Sequence, residues 1–140
     1  MNMFEILSTI NVWAVLVAAF SAFIVGWLWY GLLFGKLWMK LNGFTEEMLR
    51  DGKGMAMPLV MIINYIATVL AAFAIAMFIG SAADMHFGIF AGFMIALFWI
   101  GTSRLNDVLY ERQPFKLYLI NLGYTLVIYI IMGAVLGAWH

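Results

Sequence analysis

The sequence predicts an all-α integral membrane protein, with four transmembrane helices in an antiparallel bundle that form one domain over 1–140. Two observations carry this. Hydrophobic residues make up 66% of the chain and charged residues 10%, against roughly 25% charged in a soluble domain, so seven basic and seven acidic side chains cannot coat a water-facing surface. Four stretches, 6–35, 54–83, 85–103 and 117–140, carry no Asp, Glu, Lys or Arg, and each exceeds the roughly 18 residues that mark a spanning helix. Backbone in hydrocarbon must satisfy its own hydrogen bonds and no period-2 alternation is present, so these stretches are read as helices.

The spans are placed near 11–34, 57–79, 87–110 and 115–138, the third running past Arg104 and Asp107 to the stop at Tyr110-Glu111-Arg112-Gln113-Pro114. The amino terminus lacks the basic n-region of a signal peptide, so the first apolar stretch is read as a retained span. All seven basic residues fall at two places: Lys36, Lys40, Arg50 and Lys53 after span one, and Arg104, Arg112 and Lys116 around the junction of spans three and four. The positive-inside bias therefore predicts a plasma or inner membrane protein with loops 35–56 and 111–116 in the cytoplasm and both termini outside. Trp27, Trp29, Tyr30, Trp38, Tyr110 and Tyr118 fit an inner aromatic belt, Trp13 and Trp139 an outer one. In the first inner loop Thr45 is an N-cap, Glu46 and Glu47 are first-turn acids and Gly52 or Gly54 is a stop, which predicts a short cytoplasmic helix near 46–51.

Helices in lipid associate through small residues that let backbones approach. Gly88 with Gly92 and Gly133 with Gly137 lie at the outer ends of spans three and four, at one depth in an antiparallel pair, and predict a tight outer seam. Gly31 with Gly35, at the inner end of span one, is a third pair with packing spacing. Polar residues show the opposite bias. Tyr30, Asn64, Ser103, Arg104, Asn106, Asp107, Asn121 and Tyr124 all fall in the inner halves. On a helical rise Asn64 and Asn121 reach the depth of Asn106 and Asp107. This layer has two readings: interhelical hydrogen-bond glue with Arg104 paired to Asp107 at i,i+3, or a wedge-shaped cavity open to the cytoplasm that binds something polar.

No acid lies near the bilayer midplane, which argues against a proton-coupled exporter. His86 and His140, with Asp84 beside the first, are the residue types of a metal or pH site, but their spacing forms no motif and both are read as interfacial. With no cysteine there is no disulfide or thiolate site. Nothing pairs a nucleophile with a base, cradles phosphate or presents a nucleic-acid surface, so no cofactor, metal, enzymatic activity or nucleic-acid partner is expected.

Two stretches carry a resemblance: Gly26-Trp27-Leu28-Trp29-Tyr30-Gly31-Leu32-Leu33-Phe34-Gly35-Lys36-Leu37-Trp38-Met39, and Asn106-Asp107-Val108-Leu109-Tyr110-Glu111 followed by Lys116-Leu117-Tyr118-Leu119-Ile120-Asn121-Leu122-Gly123-Tyr124 and Met132-Gly133-Ala134. Nearly the whole chain resembles the uncharacterised membrane family known as domain of unknown function 1761. The family often has Pro where this chain has Leu32, a departure confined to the stiffness of the inner end of span one. The resemblance implies a four-helix membrane protein and no activity, and it marks Trp29, Tyr30, Asn106, Asn121 and Tyr124 for testing. The expected role is assembly, with the lipid bilayer as surroundings and a homo-oligomer or larger membrane protein as partner. The alternative is a small oligomeric transporter or channel with a cytoplasm-facing polar site.

Overall fold

The computed structural model describes residues 2–140, which are helical apart from short connections, with no strand among them. Four helices are long and apolar enough to cross a membrane: α2 (Val12–Leu33), α5 (Met57–Ile79), α6 (Met85–Leu109) and α7 (Phe115–Ala138). Three short helices accompany them, α1 (Met3–Ser8), α3 (Gly35–Asn42) and α4 (Glu46–Arg50). Local chemistry sets the boundaries. The Asn11 Oδ1 accepts the N–H groups of Trp13 and Ala14 at 3.0 and 3.2 Å to open α2, and Asp84 accepts that of Phe87 at 2.8 Å to open α6. Proline stands at the start of α5 and just before α7, where a missing N–H costs nothing. Gly43, at φ 73°, ends α3 in the left-handed conformation that a side chain resists.

Helix α7 is central. Its buried residues run from Leu117 and Ile120 through Ile128 and Met132 to Leu136 and Gly137, its full length. Helix α6 lies antiparallel to it with almost no side chain between. A Cβ at Gly88 would collide with the Gly133 carbonyl, one at Gly92 with the Tyr129 carbonyl, and one at Gly137 with the Asp84 carbonyl. An alanine stripe on α2, Ala14, Ala18, Ala19 and Ala22, meets Ala72 and Ile75 of α5 and Ile128, Met132 and Leu136 of α7 in one core. In lipid, where apolar attraction between helices is absent, such close small-residue contact is the main source of association.

The bundle has two unlike ends. At one, the start of α2, the end of α5, the start of α6 and the end of α7 gather, and His140 Nε2 bonds the Ala83 carbonyl. This terminal end also holds Glu5 and Asp84. The other end carries all seven basic residues. Here α5 leaves its neighbours: its buried residues, Ala72 and Ile75, lie in its second half, while 57–64 is exposed throughout.

Two features depart from the sequence reading. Both α2 and α6 contain a π-helical segment, Leu28–Leu33 and Ile95–Gly101, each of which fits an extra residue into a turn. The first span ends at Leu33, where the sequence reading placed it, but the chain then turns at Phe34 into a helix, α3, over residues read as loop. This turn accounts for Gly31 and Gly35, whose spacing seats no neighbouring helix. Nothing lies within 4 Å of a Cβ at Gly31, and a Cβ at Gly35 would meet only the carbonyl group of Tyr30, in its own chain's widened turn.

Candidate ligand-binding cavity

Where α5 separates from α2 and α7, the basic end holds an open cavity of about 620 Å³. Helix α2 contributes Phe23, Gly26, Trp27 and Tyr30, and α3 adds Trp38 and Asn42. From α5 come Val60, Met61 and Asn64, from α6 Arg104, and from α7 Leu117, Asn121, Tyr124 and Thr125, with Gln113 from the α6–α7 connection. Its volume lies within the roughly 300–1,000 Å³ of small-molecule sites, which pair an apolar lining with a few placed polar groups.

The α2–α7 wall is built firmly. The Tyr30 hydroxyl donates to Asn121 Oδ1 at 2.7 Å, and its ring meets that of Tyr124 edge-on at 5.0 Å. One residue back, the Trp29 indole N–H donates to the Ile120 carbonyl at 3.1 Å, and its ring covers Gly123, where a Cβ would come within 2.9 Å of it. The π turn of α2 lets neighbours Trp29 and Tyr30 both reach α7. Gly26 leaves room for the Tyr124 ring, 3.1 Å from a Cβ there. At the floor, Trp38 of α3 stacks edge-on against Tyr30 at 5.8 Å and leans on Phe44 at 5.7 Å.

The π turn of α6 places Arg104. The small residues facing α7 are Gly88, Gly92 and Ala96, four apart, and then Gly101, five further on. An unbroken α-helix would rotate Gly101 off that face, but the wide turn absorbs the extra residue and keeps it inward. Gly101 closes the segment, and its carbonyl accepts the Tyr118 hydroxyl at 2.9 Å. Arg104 and Asp107 follow at helical spacing on the same side. Arg104 Nε lies 3.8 Å from Asp107 Oδ2, with side chains 54% and 34% exposed, an ion pair too long and too wet to contribute much. Asp107 itself borders a separate recess of about 10 Å³ behind Arg104.

Of the polar residues singled out in the sequence, the structure gathers Tyr30, Asn64, Arg104, Asn121 and Tyr124 around the cavity. Asp107 stands next to it, whereas Ser103 and Asn106 are exposed and line neither space. The periodicity of α6 offered two faces, and the π turn selects the one with Gly101, Arg104 and Asp107. Trp38, Asn42 and Gln113 were missed as lining residues. Asn42 on an amphipathic helix beside the break at Phe34 was the available signal, while nothing local points Gln113 inward. Among the described residues no three His, Cys, Asp or Glu side chains converge as metal ligands would. His140 bonds the Ala83 carbonyl and Asp84 caps α6.

This architecture defines a class, the small proteins built of four membrane-length helices, here with a cavity at one end. Within it, the chain belongs to the family described as Protein of unknown function (DUF1761), which it matches over residues 13–137. No curated protein and no solved structure matches it.

Proposed function

We propose that this chain is a non-enzymatic protein of the plasma or inner membrane that binds a small solute from the cytoplasmic side in its basic-end cavity, as a transporter or carrier. One observation carries the reading: Asn64, Arg104 and Asn121 face a shared space of about 620 Å³ instead of bonding one another. Among the described residues neither the Asn64 amide nor the Arg104 guanidinium makes a hydrogen bond, and the interhelical bonds at this end are those of Tyr30 to Asn121, Trp29 to Ile120 and Tyr118 to Gly101. The clustering of all basic residues at this end supports placing it in the cytoplasm, with loops 35–56 and 111–116. Because the chain lacks cysteine, single cysteines at Gly52 and Ser81 test the orientation against a background of zero. An impermeant maleimide added to intact cells is expected to label Ser81→Cys and spare Gly52→Cys.

The binding role is tested by native mass spectrometry of protein extracted gently from its own membrane. A retained small mass that disappears in Val60→Trp, which fills the cavity from α5, is the expected result. Its absence from both proteins overturns the reading. Self-association or docking to a larger membrane protein is a second reading, favoured by the exposed row Leu59, Ile62, Ile63, Ile66 and Leu70 on α5. The same spectrum reads subunit count and any partner's mass.

A further inference from the structure

We infer that the ligand of this cavity is a small organic anion, a carboxylate on an apolar body, held head-first by Arg104; this rests on the cavity being the binding site. Among the lining residues Arg104 is the one charged side chain, and no Asp or Glu borders the space. Its near counter-ion approaches from the Nε side at 3.8 Å, which leaves the two terminal nitrogens available as a planar fork. That fork matches a carboxylate through two parallel hydrogen bonds. The ion pair with Asp107 is long and wet, so a ligand carboxylate seated on the fork can compete for the guanidinium.

The neighbouring amide is preset in the same sense. The Tyr30 hydroxyl takes one of the two lone pairs of Asn121 Oδ1, while both N–H donors of this amide make no protein hydrogen bond and are free for a ligand. The apolar part of the space is aromatic, with Phe23, Trp27, Trp38 and Tyr124 around it, and accepts a ring or short chain. A cationic ligand finds these aromatic faces but meets the Arg104 charge, while Asp107 stands outside the lining. The field at long range has the same sign, since two of the acids, Glu5 and Asp84, sit at the terminal end while every basic residue is at the cavity end.

The test uses the full chain in phosphatidylcholine nanodiscs, followed by tryptophan fluorescence, with benzoate, benzyl alcohol and benzylamine as probes of one body and three head charges. Benzoate is expected to change the signal saturably, benzylamine not to, and Arg104→Gln to weaken benzoate at least about tenfold while leaving benzyl alcohol unchanged. Val60→Trp should abolish every response. If benzylamine binds as well as benzoate, or Arg104→Gln leaves benzoate unaffected, the anion assignment fails while the cavity reading stands. If none of the three probes gives a saturable response that Val60→Trp removes, both fall. Loss of the benzoate response on adding phosphatidylglycerol, restored when that lipid is left out, supports the same anion site with a lipid headgroup as its natural source.

Discussion

At the terminal end α6 and α7 meet backbone to backbone through Gly88, Gly92, Gly133 and Gly137, with no volume left over. At the basic end the interior is large side chains around space, Tyr30, Trp38, Tyr124 and Arg104 bordering about 620 Å³. The contrast divides the work of the chain. Close packing holds the helices where no polar group is needed, and the half that offers donors and a charge is the half that gives up contact. This is the usual opposition of stability and site-building, here separated along the helix axis.

Substitutions sharpen the comparison. Gly88→Leu drives a branched side chain into the Gly133 carbonyl and is expected to cost about 3 kcal/mol or more, read as a collapse of the thermal midpoint in detergent. Asn121→Ala strands the Tyr30 hydroxyl and should cost about 1 kcal/mol, a drop of a few degrees. Tyr30→Phe should cost about the same, and the double variant less than the two combined; full additivity would show that the pair does not act as a unit. Gly31→Ala should do the reverse of Gly88→Leu and raise stability by roughly 0.5–1 kcal/mol, since its Cβ meets nothing. Asn64→Ala should shift stability by less than about 0.5 kcal/mol yet reduce the ligand mass retained in native mass spectrometry. A large loss of stability there would make Asn64 part of the scaffold and blur the division between halves.

The two halves also differ in how far they can be read from residues alone. Length and apolarity define the four spans, and the end of α5 at Ile79 and the start of α7 at Phe115 lie close to where composition changes. Spacing and depth single out Gly88, Gly92, Gly133 and Gly137, and straight helices bring such residues together. The basic half is harder because its geometry depends on departures from straight helices. Leu28–Leu33 and Ile95–Gly101 are ordinary apolar sequence with no local mark of a π turn. Without those turns the inward phase of α6 is ambiguous, and Ser103 and Asn106 are as good candidates as Arg104 and Asp107. The fold-back at Phe34 likewise moves Trp38 from an expected membrane-interface anchor to the cavity floor.

The π turn at Ile95–Gly101 makes the chain unusually tolerant of a one-residue deletion at one place. Removing a single residue from it, Leu97 for example, leaves Ala96 and Gly101 four apart, the spacing at which a regular helix keeps both on one face, so everything beyond keeps its direction. The glycine seam lies before the turn and keeps its alignment, and Arg104 keeps its side toward the cavity. One lost codon there would leave a protein that still assembles with its charged group aimed at the same space. The extra residue thus works as slack, letting the helix lose one residue at that place without losing either the seam or the site.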